Sequence, residues 1–198
     1  MIIKRKKGMT MTYIRFIRHG ETDWNKQARM QGWTDIPLND TGKMQASEAA
    51  KRLNDKAWNV FIASPLIRAK YTAEILNESL QLPIMTMEAF RERRYGKVEG
   101  MLRAERVKQY PSGEYPEAET RDDLTKRVIE GIQLLHQNYE GQNILVATHG
   151  GTINAVLTYF SNGELGFDRT TIHNLSFTDI ELSGTDCQIH CYNRIENR

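Results

Sequence analysis

An α/β fold with a mostly parallel central sheet is what the sequence predicts, on two observations. Short apolar runs rich in β-branched or aromatic residues recur at 13–17, 59–63, 84–87 and 143–148, and between them lie stretches with helical spacing and helix start signals, the alternation of βαβ units. The chain is also long enough to enclose such a sheet in one domain. With 198 residues, 39% of them hydrophobic, it can bury about 70% of its unfolded surface, so the core needs neither disulfide nor metal.

The elements follow in order. Residues 1–11 make a basic start containing Lys4-Arg5-Lys6-Lys7. No apolar stretch of roughly 7–15 residues follows, as a signal peptide requires. Four like charges at a terminus read better as a solvated, disordered tail than as a nucleic-acid or membrane contact, and the domain is expected over 12–198. After the first strand, Thr41-Gly42 opens a helix in which Met44, Ala49 and Leu53 sit near helical spacing before Asn54-Asp55. Ser64-Pro65 opens the next, with Ser64 as N-cap and Pro65 at the first helical position, where its missing N–H costs nothing. Ala69, Ala73 and Leu76 give that helix its inward face.

The segment 91–119 keeps neither period for long and contains Tyr110-Pro111-Ser112-Gly113-Glu114-Tyr115-Pro116, the composition of a lid or substrate loop inserted over the sheet. The longest helix is expected at 120–139. Thr120 caps it, Asp122 and Asp123 make its first turn acidic, and Leu124, Val128, Ile132, Leu135 and Tyr139 repeat at helical intervals. Two late alternating segments, 175–182 and 188–192, are joined by Ser183-Gly184-Thr185-Asp186 and predict a hairpin at the sheet edge.

Composition excludes several classes of function. No apolar run exceeds four residues, whereas a membrane span needs about 20. A balance of 27 Lys and Arg against 25 Asp and Glu, net +2, argues against a surface built throughout for nucleic acid. Cys187, Ile189 and Cys191 share one face of a strand, Gln188 and His190 the other, which suits buried free thiols in a reducing cytoplasm. A zinc site on Cys187, His190 and Cys191 would lack a fourth ligand. No apolar surface pattern marks an interface, and a monomer or a homodimer is expected.

Chemistry gathers where strands end. Arg18-His19-Gly20-Glu21-Thr22 and Thr148-His149-Gly150-Gly151-Thr152 each place His-Gly just past an apolar strand, and Ser64-Pro65-Leu66-Ile67-Arg68 follows a third. Ligands of an open parallel sheet bind outside the carboxyl ends of its strands, so two histidines and two arginines converge on one edge. Arg68 can reach it because helical side chains lean toward the N-terminus, and N–H groups beside the glycines can point at an anion. The set suits a tetrahedral dianion such as phosphate. The arginines offset its charge, one neutral imidazole can attack phosphorus, and the other, protonated, can stabilise the equatorial oxygens. A proton for the leaving oxygen must come from elsewhere. Glu92 is placed for that by topology, but spacing alone equally allows a surface charge balancing Arg91, Arg93 and Arg94.

Together these residues resemble the signature of the histidine phosphatase superfamily, the phosphoglycerate-mutase-like proteins. The resemblance runs through Arg18 to Asn25, Gln31-Gly32-Trp33-Thr34-Asp35-Ile36-Pro37-Leu38-Asn39 with Thr41-Gly42, Ser64 to Ala69, Glu92 to Gly100, and Thr148-His149-Gly150-Gly151. It implies a three-layer α/β sandwich of phosphoglycerate-mutase type with the inserted lid, and a phosphohistidine mechanism. By resemblance, His19 is the nucleophile and Arg18, Arg68 and His149 form the phosphate pocket. Asn25 orients the phosphate or the surroundings of His19, and Glu92 is the general acid and later base. Gln31, Gly32, Tyr95 and Gly150 lie on the substrate side. No cofactor and no metal are implied.

Mutases that resemble this chain carry a longer insertion with an adjacent basic pair; here the segment after Tyr95-Gly96 is short and lacks one, while Glu119-Thr120 is similar to the Gly-Glu-Ser element of the phosphatase branch except at Ala118. The resemblance therefore implies a phosphatase acting on a small phosphorylated metabolite. A phosphoglycerate mutase or a non-catalytic phosphate-binding regulator is the alternative. Arg103, Arg106 and Lys108 on a short helical pattern would either grip a second anionic group or form a solvated basic face. His136 is expected on a helix surface, His173 in a capping role, and Trp24, Trp33 and Trp58 in the core.

Overall fold

The computed structural model describes residues 10–53 and 56–195. The basic run Lys4-Arg5-Lys6-Lys7 and the helix end expected at Asn54-Asp55 lie outside the described residues. In chain order the elements are β1 (Thr12–Arg18), α1 (Asp23–Lys26), α2 (Asp40–Ala50), β2 (Val60–Ala63), α3 (Ile67–Leu76), β3 (Ile84–Thr86), α4 (Arg103–Gln109), α5 (Arg121–Asn138), β4 (Asn143–Thr148), α6 (Gly150–Phe160), β5 (Phe177–Ser183) and β6 (Asp186–Arg194). One sheet takes the order β3-β2-β4-β1-β5-β6. The first four strands in that order pair in parallel; β5 runs antiparallel to β1, and β6 closes the edge as the expected hairpin.

Alternation along the strands divides the core in two. Ile14, Phe16, Val60, Ile62, Ile144 and Val146 face α5 and α6, meeting Leu124, Val128, Ile132, Ile153 and Val156. Tyr13, Ile17, Phe61, Ala63, Leu145 and Ala147 face the other way, toward Ala46 and Ala49 of α2 and Ala73 and Leu76 of α3. Helices thus cover both faces, as a largely parallel sheet requires.

Two helices start elsewhere than expected. Asn39, not Thr41, caps α2, its side chain accepting from the Gly42 N–H at 2.8 Å. Ser64 does not cap α3, which begins at Ile67 after Leu66. Asp35 reaches across from a loop to accept from the Ile67 N–H at 2.7 Å, which leaves Ser64 Oγ for His149. The turn after β1 is seated on the start of α2 by close backbone contact. A Cβ on Gly20 would collide with the Gly42 carbonyl, and one on Gly42 with the Glu21 backbone.

At the far end of β1 a buried ion pair crosses to β5. Arg15 Nε and Nη2 donate to the two oxygens of Asp179 at 2.8 and 2.9 Å, and Tyr13 OH donates to the same carboxylate at 2.6 Å. The guanidinium lies 5.0 Å from both the Trp58 and Phe177 rings. On β6, Cys187 and Cys191 face inward as expected, with burial pushing the Cys187 thiol up to about 12, while His190 bonds Glu181. Three burial expectations need correction. His136 is half-buried rather than on the surface, its Nδ1 at 2.7 Å from Thr12 Oγ1, because α5 packs on the start of β1. Trp24 is half-buried and Trp33 38% exposed rather than core, the Trp33 indole N–H donating to the Glu92 carbonyl.

Candidate active site

Three strand ends are tied at one level. The His19 N–H donates to the Thr148 carbonyl and the Ser64 N–H to that of Ala147, each at 2.9 Å. Just beyond lies a cavity of about 290 Å³ lined by Arg18, His19, Asn25, Gln31, Gly32, Arg68, Glu92, Tyr95 and Gly150. Every one of these is a residue singled out from the sequence. The remaining one, His149, is fully buried beside His19, with 5.2 Å between ring centroids.

Each histidine has one nitrogen fixed. His19 Nδ1 lies 2.7 Å from the Gly20 carbonyl, which can only accept, so Nδ1 carries the proton and Nε2 keeps its lone pair. His149 Nε2 lies 2.7 Å from Ser64 Oγ, and its Nδ1 is buried without a partner. Burial, then Arg68 and Arg18, holds the His19 pKa well below the ordinary imidazole value. Burial and Arg68 do the same for His149. Both shifts favour the neutral ring.

Arg68 is fully buried, Arg18 partly so, and both are only partly satisfied. Arg68 donates to the Gly32 carbonyl at 2.7 Å and the Thr34 carbonyl at 3.1 Å, Arg18 donates to the Ile172 carbonyl, and neither Nε has a partner. Among the described residues neither forms an ion pair. Desolvation lowers both, Arg68 to about 10. A dianion between them would supply the missing acceptor and offset the desolvation that burial imposes on the two cations.

Glu92 faces the same space. Its Oε2 accepts from the Gly151 N–H at 3.2 Å, in the first turn of α6, and its Oε1 from the Arg93 N–H at 2.8 Å. Gly151 is needed there because a Cβ would strike the carboxylate. The Tyr95 hydroxyl stands nearby, its pKa raised by burial and then by Glu92. Glu99 ties two loops at the cavity together, accepting from the N–H groups of Trp33, Thr34 and Tyr95.

Apart from Glu119, already marked by its resemblance to the phosphatase-branch element, several neighbours of the site carry no signal in the sequence pattern. Asn174 donates to the His19 carbonyl at 2.8 Å and approaches Asn25 Oδ1 at 3.4 Å; its neighbour His173, expected as a cap, is exposed and serves through its backbone in the turn before β5. Asn154 lines the cavity with a buried, unpartnered Oδ1. Arg127 and Glu119 stand behind the Glu92 segment. Arg103 and Lys108 of α4 are exposed, Arg106 turns to the Tyr115 hydroxyl, and none of the three lines the cavity.

Residues 14–195 match the family model described as histidine phosphatase superfamily, branch 1. The chain is 45% identical over 183 residues to the uncharacterized phosphatase PhoE of Bacillus subtilis, covering 92% of this chain and 95% of that protein. It is 29% identical over 163 residues to a 2,3-bisphosphoglycerate-dependent phosphoglycerate mutase of Gloeobacter violaceus, covering 74% of each. Among solved structures, Bacillus stearothermophilus YhfR superposes with a TM-score of 0.86 at 28% identity, over 93% of this chain and 98% of that one.

Proposed function

The chain belongs to the histidine phosphatase superfamily, and on that premise we propose that it is a phosphatase hydrolysing a small phosphomonoester through a phosphohistidine on His19. The observation that carries this is the His19 ring, buried, held toward the neutral form, fixed at Nδ1 and flanked by two arginines that form no ion pair among the described residues. In the first step His19 Nε2 attacks phosphorus, the bond to the leaving oxygen breaks, and Glu92 gives that oxygen a proton. Water then attacks the phosphohistidine, returning its proton to Glu92 and releasing phosphate and His19. Arg18, Arg68 and a His149 protonated beside the dianion meet the charge on the equatorial oxygens, the task that metal ions perform in kinases.

Water rather than a phosphoglycerate is the acceptor in this reading, since the lid offers no adjacent basic pair and the α4 cations lie outside the cavity. The complete set of His19, His149, Arg18, Arg68 and Glu92 argues for turnover over mere ligand binding. The half-buried free thiols fit a reducing, cytoplasmic setting, and no helix among the described residues is long and apolar enough to cross a membrane. The test is hydrolysis of p-nitrophenyl phosphate with EDTA present, together with trapping of acid-labile, base-stable phosphate. Parent protein is expected to turn over and to label on His19, and His19→Ala to do neither. Equal rates in the two proteins would refute the proposal, and exchange between 2- and 3-phosphoglycerate faster than hydrolysis would make it a mutase.

A further inference from the structure

Arginine has five N–H donors, and in Arg127 all five are committed. Nε donates to Glu119 Oε1 at 2.6 Å, and Nη2 to Glu119 Oε2 and the Glu92 carbonyl, both at 2.9 Å. Nη1 donates to the Ala89 carbonyl at 2.8 Å and the Arg91 carbonyl at 2.9 Å. A side chain with no donor left acts only through the groups it holds. What Arg127 holds is the backbone from Ala89 to Glu92. The one carbonyl of that stretch it does not take, that of Phe90, accepts from Thr148 Oγ1 at 2.7 Å.

The carboxyl group of Glu92 depends on that backbone. It accepts from two main-chain N–H groups, those of Gly151 and Arg93, and among the described residues no side-chain hydrogen bond steers it. Its direction is inherited from the main chain, which lies outside the sheet and has no strand ladder to fix it. A misplacement of about 1 Å in a reacting group can cost on the order of 10²-fold in rate.

We propose that Arg127, anchored by Glu119, is the positioning residue for the proton-transferring carboxyl group of Glu92. This rests on the phosphohistidine reading, in which the Glu92 proton passes to the leaving oxygen as its bond to phosphorus breaks. Lysine is a poor substitute, with three donors and no planar fork.

The experiment measures kcat/KM, which reports transfer to His19, for p-nitrophenyl phosphate and for phenyl phosphate. The first leaving group departs without a proton and the second needs one. Glu92→Gln sets the scale, with a loss on the order of 10²-fold for phenyl phosphate and a much smaller one for p-nitrophenyl phosphate. Arg127→Met is expected to show the same selective loss, about tenfold or more greater for phenyl phosphate, with affinity for orthovanadate retained. Arg127→Lys is expected to recover part of it. Equal losses on both substrates, or lost vanadate binding, would overturn the proposal and leave Arg127 a general support of the fold. If Arg127→Met does not fold, Glu119→Gln decides; it keeps the carbonyl bonds but loosens the anchor, and an unselective loss there is equally fatal. A Glu92→Gln enzyme without leaving-group selectivity would instead remove the acid role of Glu92, a distinct failure recognised before Arg127 is touched.

Discussion

Arg15 and Arg18 stand three residues apart on one strand, Arg15 fully buried and Arg18 partly buried at the cavity wall, and their surroundings differ electrically. Arg15 meets a carboxylate through two hydrogen bonds, with a tyrosine hydroxyl and two aromatic rings completing its surroundings. Among the described residues, Arg18 and Arg68 beside it hydrogen-bond carbonyl oxygens and form no ion pair, keep an unpartnered Nε, and feel the Glu92 carboxylate only through space. Burying a cation is costly unless it is paired. The chain meets that cost internally at one end of the sheet and leaves it for a ligand at the other. Where a buried charge is left incomplete, its unsatisfied donors give the sign and shape of the partner it takes.

Swapping the fates of these two regions separates stability from activity. Asp179→Ala strands Arg15 and should cost about 3–5 kcal/mol of stability, while kcat/KM of the folded protein stays near the parent value. Arg68→Met should do the reverse, losing on the order of 10²–10³ in kcat/KM with little change in Tm. Thermal denaturation and steady-state kinetics on the same preparations check both, and two similar profiles would erase the contrast. A smaller effect comes from supplying the missing anion. Orthovanadate at about 100 times its Kd should stabilise the parent by roughly 2.7 kcal/mol and Arg68→Met scarcely at all at the same concentration, as read by the Tm shift.

The smallest effect is in pH. His19 and His149 have folded-state pKa values held below the unfolded one, so below about pH 6.5 the unfolded chain binds protons that the folded one refuses. Stability then falls as pH drops through that window, by at most about 1.4 kcal/mol per pH unit for each histidine, and is unaffected above it. Replacing His19 by Gln should flatten the Tm–pH profile between about pH 6.5 and 5, and bound phosphate should flatten it further by favouring His149 protonated. A profile as steep in His19→Gln as in the parent would show that this ring does not contribute.

Much of the site is legible in the sequence because its chemistry follows strand ends. His19, His149 and Arg68 sit within a few residues of apolar runs, and the rule that ligands gather at the carboxyl edge of a parallel sheet is enough to bring them together. Glu92 is undecidable from spacing; its place depends on the Gly151 N–H, 59 positions away. Arg127 and Asn174 are invisible for a related reason. Each acts on backbone carbonyls distant in sequence, and a carbonyl has no letter in the sequence. Ser64 is conspicuous but misleading: serine before proline at a helix start is a sound cap, and only the approach of α6 shows that its hydroxyl belongs to a histidine. The two helix starts differ from expectation because Asn39 caps α2 ahead of Thr41-Gly42 and Asp35, not Ser64, takes the first N–H of α3.

The close packing of the Gly20-Glu21 backbone against Gly42 limits how the chain can vary. A methyl group at either position would meet backbone rather than a side chain that could rotate away, so no single replacement at one is relieved by trimming a neighbour. The loop that carries His19 and the helix beside it can drift apart only if the main chain itself moves. Among descendants of this sequence, the two glycines are expected to persist together or to disappear together with a lengthened turn, which makes them a paired marker of whether the His19 loop still has this shape.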